Sequence, residues 1–296
     1  MKIYSQSKKP SGILYIVPTP IGNLSDITTR ALTTLQQVNI IACENIKHSL
    51  YLLQHFKIST ILISINQNNE TKKSKLLVKN LINGKHVALI SNAGSPLIND
   101  PGCLLVNLCH HYYIKIIPLP GPCAAITALV ASGLPTNKFC YEGFLPSTKN
   151  DRCKLLISLK KEHRTLIFYE TSRRILDSLK DIINELGSDR SITIAKELTK
   201  IWELIYTAPA KEILNWLISD HNRYKGEIVL IIKGYTLPTK NLISDKILTT
   251  FKILYKVLPL TTAVKLTAQI HKIKKNQLYQ YTLQLKNDIV SRKKTI

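Results

Sequence analysis

Three short apolar runs in this chain each end in a loop rich in glycine and proline and almost free of charge. Ile13–Val17 (ILYIV) runs into Pro18–Leu24 (PTPIGNL), His86–Ile90 (HVALI) into Ser91–Gly102 (SNAGSPLINDPG), and Ile114–Ile117 into Pro118–Ala125 (PLPGPCAA). Apolar runs of this length, bounded by such punctuation, read as strands buried on both faces in a parallel sheet. Loops at the ends of such strands line the crevice in which an α/β protein takes a small ligand. Their lack of charge points to a pocket that meets its ligand through backbone groups and small side chains.

Between these strands the hydrophobic period switches repeatedly. After PTPIGNL, Ser25 or Asp26 is placed to cap a helix whose apolar residues Ile27, Ala31, Leu35 and Val38 fall at helical spacing. Asn39–Cys43 reads as a strand ending in Glu44, Ile46–His55 as a helix, Thr60–Ile65 as a strand, and Glu70–Asn83 as a helix closed by Gly84. This alternation predicts an α/β unit with a largely parallel sheet. Ile116–Asn137 holds no charged residue, yet Pro118, Pro120, Gly121, Pro122 and Pro135 break it. It therefore reads as a loop plus a buried helix, Ala124–Ser132, and not as a membrane span.

A boundary falls near Leu134–Lys138. Beyond it, strands at Phe139–Phe144, Thr165–Tyr169, Ser191–Ala195, Glu203–Tyr206 and Glu227–Lys233, with helices at Ile175–Leu186 and Ala210–Leu217, predict a mixed sheet. Gly234–Asn241 reads as a linker. Helices at Asp245–Leu258, Thr261–Ile270 and Lys275–Leu285 follow, and the last two, joined by HKIKKN, are placed like a helix-turn-helix. The expected organisation is an N-terminal α/β domain over residues 1–135, a second α/β domain over 136–234, and a basic helical module over 235–296.

The chain carries 41 basic and 19 acidic residues, a formal net charge of +22. Codon bias exchanges Arg for Lys, and Lys outnumbers Arg 33 to 8, but bias does not readily create such an excess of cations. A polyanionic partner does, and RNA fits better than a membrane because no basic amphipathic anchor stands out. Residues 235–296 hold twelve Lys/Arg against Asp245 and Asp288 alone, which makes the tail the most charge-dense region. The six cysteines (Cys43, Cys103, Cys109, Cys123, Cys140, Cys153) form no C-x-x-C pair and no zinc-ligand spacing. They read as reduced, buried thiols of a cytoplasmic protein, and MKIYSQSKKPSG lacks the apolar core of a signal peptide. A dinucleotide site is a poor fit. Glu44 lies 22 residues after Gly22, near the ribose-binding spacing, but PTPIGN has one glycine where the fingerprint needs three. Pro18 and Pro20 also remove amide donors that a pyrophosphate would need.

The three loops, together with ACENIKHS (Ala42–Ser49), GFLPS (Gly143–Ser147), RTLIFYETSRR (Arg164–Arg174), AKELTK (Ala195–Lys200) and KGEIVLII (Lys225–Ile232), occur in family order. From Ile13 to Leu285 the chain resembles the ribosomal RNA small subunit methyltransferase I family, cytidine 2′-O-methyltransferases of the tetrapyrrole-methylase fold. The resemblance implies a two-domain fold with S-adenosylmethionine bound in the cleft between the domains, a small-subunit rRNA substrate acted on within the assembled subunit, and a homodimer. Carried over by position, Pro20, Gly22, Asn92, Gly94, Ser95, Pro96, Cys123, Ala124 and Tyr169 would contact the cofactor. Glu44, Lys196 and Glu197 are candidates for activating a 2′-hydroxyl, a poor nucleophile that needs a base or polarising cation. For Glu197 a structural ion pair competes with that role. Lys47, Arg173, Arg174 and Lys200 are candidates for RNA phosphates.

The chain departs from the family in places. Asn92 and Ser95 stand where Asp and Thr are usual, Asn45, Ile46 and Lys47 where Asp, Thr and Arg are usual, and Arg173 where His is usual. Asn92 keeps an acceptor but loses a charge, and Lys47 forfeits bidentate phosphate binding. Two other functions share these features: methylation of a porphyrin-like macrocycle, which leaves the basic tail without a role, and a non-catalytic RNA-binding assembly factor.

Overall fold

The computed structural model describes residues 11–236, 245–276, 278, 279, 281 and 282. The chain forms two compact units, Met1–Tyr235 and Thr236–Ile296. In the first unit, strands β1 (Leu14–Ile16), β2 (Ile40–Cys43), β3 (Ile61–Ser64), β4 (Val87–Ile90) and β5 (Ile116–Pro118) make one sheet in the order β3-β2-β4-β1-β5. Every pairing in it is parallel. Helices α1 (Thr29–Gln37) and α2 (Ile46–His55) cover one face, and α3 (Glu70–Ile82) and α4 (Cys103–His111) the other. Burial on both faces explains why β2 and β4 read as unbroken apolar runs.

The cap of α1 differs from expectation. Thr28 fills it, its hydroxyl accepting from the Ala31 amide at 3.1 Å, because Leu24–Asp26 is taken up by a 3-10 turn that Asn23 caps. Helix α4 gave no periodic signal, since its run CLLVNLCHH is apolar nearly all round and follows Gly102 at φ 128°. Of the cysteines, Cys43, Cys109 and Cys140 are buried, whereas Cys103 is exposed and Cys123 and Cys153 are partly so. The expectation of six buried thiols therefore holds for only these three.

Helix α5 (Ala124–Ala131) leaves the first sheet and packs on the second through Ala125, Ala128 and Leu129. That sheet contains β6 (Phe139–Phe144), β7 (Thr165–Thr171), β8 (Ser191–Lys196), β9 (Leu204–Pro209) and β10 (Glu227–Ile232), in the order β6-β7-β10-β8-β9. It is mixed: β6 and β7 run parallel and the remaining pairs antiparallel. Alternation divides its faces. Phe168, Leu230 and Ile194 point to α6 (Lys149–Ser158), α7 (Ile175–Leu186) and α8 (Ala210–Ile218), while Ile167, Val229 and Ala195 point to α5. Helix α6 is hydrophilic and was not legible from apolar spacing; Thr148 caps it through the Asp151 amide.

In the second unit α9 (Asp245–Tyr255) and α10 (Leu260–Ile270) bury Ile247 and Phe251 against Ala263, Val264 and Ala268. Lys246, Lys252, Lys256, Lys265, Lys272, Lys274 and Lys275 are all exposed. Most of the expected linker, and the end of the third expected helix, lie outside the described residues.

Candidate active site

The loops that follow β1, β4 and β5 are fastened to one another. Thr19 and Gly94 exchange both backbone hydrogen bonds at 2.9 Å, joining the first loop to the second. The Ser95 hydroxyl donates to the Pro122 carbonyl at 2.9 Å, joining the second to the third. Gly94 sits at φ 78°, a conformation that favours glycine. Ser91 donates to the Gly94 carbonyl at 3.0 Å and holds that turn from beneath.

Between these loops and the α5 side of the second sheet lies a cavity of about 480 Å³, within the range of small-molecule sites. Of the residues expected to contact a cofactor, Gly94, Ser95, Cys123, Ala124 and Tyr169 line it. Pro20, Gly22, Asn92 and Pro96 are not among its lining residues; Ile21 and Ala93 face it in their stead, and Pro96 is buried. Tyr169 forms an aromatic wall with Tyr141 and Phe144, ring centroids 5.2 and 5.5 Å away and edge-to-face. The Tyr141 hydroxyl donates to Asn99 Oδ1 at 3.1 Å, so the wall is tied to the second loop.

Asn99 and Asp100 line the cavity as well, unmarked by any motif although both lie inside SNAGSPLINDPG. Ala195, Leu198 and Gly226–Val229, equally unmarked in the sequence, form the floor. Apolar strand residues give no sign of facing a ligand until an antiparallel pairing places them. Asp100 was detectable as one of only four acids between residues 11 and 135. Burial, reinforced by the charge of Glu44, raises its carboxyl to about 6.

At the ends of β2 and β4, Asn92 Nδ2 donates to Glu44 Oε2 at 2.8 Å, and its Oδ1 is buried without a partner. An Asp at position 92 would set a second carboxylate against Glu44; the amide instead fixes it. His48 Nε2 meets the Asn92 carbonyl at 3.0 Å. Lys47 is exposed on the first turn of α2.

The other candidates have partners of their own. Lys196 is 8% exposed and donates to the Asn222 carbonyl at 2.6 Å. Glu197 accepts from Lys200 Nζ at 3.0 Å and from the Glu227 amide at 2.9 Å, while Lys200 also reaches Glu227 Oε2 at 2.9 Å. Glu197 and Thr199 both adopt left-handed backbone, φ 49° and 65°, so this network holds a strained turn beside the cavity floor. Arg174 bridges the buried Glu170 at 2.7 Å and donates to the Leu145 carbonyl at 3.2 Å, which leaves Arg173 as the exposed cation of that pair. Among the described residues no group of three or more His, Cys, Asp or Glu is placed to hold a metal ion. None of the described helices is long and apolar enough to cross a membrane.

Two α/β halves with a cleft walled by loops after β1, β4 and β5 are the fold of the tetrapyrrole methylases. Residues 13–214 match the Tetrapyrrole (Corrin/Porphyrin) Methylases, and residues 242–286 the RsmI C-terminal HTH domain. Among solved structures, a diphthine synthase superimposes with a TM-score of 0.57 at 14% identity, over 76% of this chain and 91% of that one. A uroporphyrin-III C-methyltransferase from Thermus thermophilus, complexed with S-adenyl homocysteine, does so with a TM-score of 0.51 at 16% identity, over 75% and 97%. The curated relatives are much nearer. The ribosomal RNA small subunit methyltransferase I of Buchnera aphidicola subsp. Acyrthosiphon pisum is 60% identical over 272 residues, 92% of this chain and 96% of its own length. That of Escherichia coli O157:H7 is 50% identical over 284 residues, 96% and 99%. This chain belongs to the ribosomal RNA small subunit methyltransferase I family.

Proposed function

We propose that this protein transfers a methyl group from S-adenosylmethionine to the ribose 2′-oxygen of a cytidine in the decoding region of small-subunit rRNA. The observation that carries this reading is the cavity: aromatic, aliphatic and small side chains wall it, Asp100 is in its lining, and no Lys, Arg or His lines it. Such a lining suits a cofactor with positive charge and no phosphate.

Bound S-adenosylmethionine supplies a methyl group on a sulfonium, open to in-line attack. Tyr169 and Phe144 would flank the adenine. Asp100, with Glu44 behind it, fits the methionine ammonium. Ala195, Leu198 and Val229 keep water from the sulfur, and alignment of the two reactants supplies much of the rate. Glu44, oriented by Asn92, is the carboxylate we assign to receive the hydroxyl proton. Lys196, Glu197 and Lys200 would serve by holding the floor, and Lys47 and Arg173 by meeting RNA phosphates. A second copy of the chain would cover Val130 of α5 and Ile201 and Trp202 of the turn between β8 and β9, which are 71%, 88% and 72% exposed. Domains divided near residue 135, one for each sheet, and cytoplasmic action on the ribosomal subunit complete the reading.

Incubation with methyl-labelled S-adenosylmethionine and small ribosomal subunits or free rRNA, followed by mapping of 2′-O-methyl positions, tests the proposal. Label on a macrocycle, or none on RNA, would overturn it. Cofactor affinity should also depend on pH. A cationic ligand favours the ionised form of Asp100, whose carboxyl titrates near 6. Affinity is therefore expected to climb toward tenfold per pH unit below 6 and to level off above it. Calorimetry from pH 5 to 7 checks this, and Asp100→Asn should bind more weakly with a flat profile. Without ligand the sign reverses: a raised carboxyl favours the folded state at low pH, and this contribution is lost as pH rises from about 4 to 6.

Truncation after Tyr235 should spare cofactor binding, because every lining residue lies upstream, and should weaken RNA binding. Each lysine on a phosphate contributes about 0.7 to the slope of log affinity against log salt for single strands. Loss of four such contacts would flatten the slope by about 3. An unchanged slope in a folded truncation would show that the tail does not touch RNA.

A further inference from the structure

The first sheet is polarised along its strands. The four acids between residues 11 and 135, Asp26, Glu44, Glu70 and Asp100, all follow the C-terminal ends of β1 to β4, on the cavity side. The N-terminal ends carry cations only. Lys85 precedes β4 and Lys115 precedes β5, and these two strands flank β1. Lys79 lies on the last turn of α3, and Tyr112 and Tyr113 follow α4, 52% and 86% exposed. Lys79, Lys85 and Lys115 are exposed and form no ion pair among the described residues.

Tyr113 is the informative residue. It closes α4 with left-handed backbone, φ 56°, the Ile114 amide donating to the Cys109 carbonyl at 2.9 Å. Helices α2, α3 and α10 close by the same pattern, with Lys57 at φ 55°, Gly84 at φ 86° and Lys272 at φ 51° in that position, so Tyr113 is the aromatic residue among the four. Glycine satisfies this motif without strain. A tyrosine there carries a conformational cost and, being exposed, recovers none of it through burial.

We propose that this face is a second RNA contact, in which an unstacked base lies on Tyr113 or Tyr112 while Lys79, Lys85 and Lys115 meet the adjoining phosphates. Aromatic rings beside unpaired lysines are how proteins hold single-stranded RNA without reading its sequence. The inference rests on RNA being the substrate. It adds a surface at the opposite end of the strands from the cavity, so that the partner spans more than the methylated nucleotide.

The test uses the full chain, a small-subunit rRNA transcript, and binding measured at several salt concentrations. Tyr113→Gly is expected to raise the unfolding midpoint while weakening RNA binding roughly tenfold, the loss of one stacked base. Lys85→Gln with Lys115→Gln should flatten the salt slope by about 1.4. Cofactor affinity should stay unchanged in both variants. Wild-type affinity and slope in the combined triple variant would overturn the inference. So would loss of binding to phosphatidylglycerol vesicles with RNA affinity intact, which would assign the face to lipid. A wild-type chain that binds cofactor but neither binds nor methylates RNA would instead remove the functional reading, and this one with it.

Discussion

A valine in place of Gly22 is expected to abolish methyl transfer, through packing and not through collision with the ligand. A Cβ at this position would lie 2.9 Å from the Leu198 carbonyl oxygen, 2.9 Å from Thr199 Oγ1 and 2.5 Å from Lys200 Cγ. The lysine stem can swing aside. The Leu198 carbonyl cannot, because it belongs to the left-handed turn that Glu197 clamps to Lys200 and to the Glu227 amide. Relief must move the turn, and with it Leu198 and Glu227 in the cavity lining. Overpacking of this kind costs about 1–3 kcal/mol. If it falls wholly on the bound state, cofactor affinity drops by up to about a hundredfold. The expected result is a folded variant with little or no thermal shift from S-adenosylmethionine, and Gly22→Ala in between. Wild-type affinity in Gly22→Val would disprove the coupling between this loop and the floor.

The largest loss of stability is expected from Arg152→Ala. Arg152 and Asp181 are each only 6% exposed at the side chain and pair through two contacts of 2.7 and 2.8 Å to the same carboxylate oxygen. Arg152 also donates to the carbonyls of Pro146 and Ser147, at 3.2 and 3.4 Å. Truncation leaves the Asp181 charge buried without its counter-ion, which costs about 3–5 kcal/mol. For a chain of this size the unfolding midpoint should fall on the order of 10 °C. The double change Arg152→Leu with Asp181→Leu removes both charges and should recover much of the loss. A midpoint unchanged in Arg152→Ala would show that water reaches Asp181. The same contacts explain GFLPS: its last two residues are anchored from behind by Arg152, so much of this motif serves α6 and α7.

Much of this architecture was legible because local signals agreed with the tertiary arrangement. The expected helix Ile46–His55 and the strand HVALI stand essentially where their patterns place them. The two failures of helix recognition, α4 and α6, have opposite causes: one is apolar almost all round and the other almost wholly polar. In the candidate site, the loops announced themselves through glycine and proline. The floor did not, since Ala195, Ile228 and Val229 look like any strand interior until β10 is known to lie between β7 and β8. Asn92 shows a further limit. The resemblance implies a ligand contact for it, whereas its amide orients Glu44 and its remaining acceptor is buried without a partner.

The position of β10 has a consequence for biosynthesis. It is the last strand of the second sheet to be made and lies between β7 and β8, pairing antiparallel with both. Until residues 227–232 leave the ribosome, β6-β7 and β8-β9 exist as separate ribbons with open edges, a state prone to wrong pairing. The first sheet has no such wait, because its five strands are complete by Pro118. The nascent chain would thus carry a finished half with the three ligand loops while its floor is still in two pieces. Cofactor capture must then come after synthesis of the last strand, and a ribosome stalled before residue 227 would display a protein that looks half folded and binds nothing.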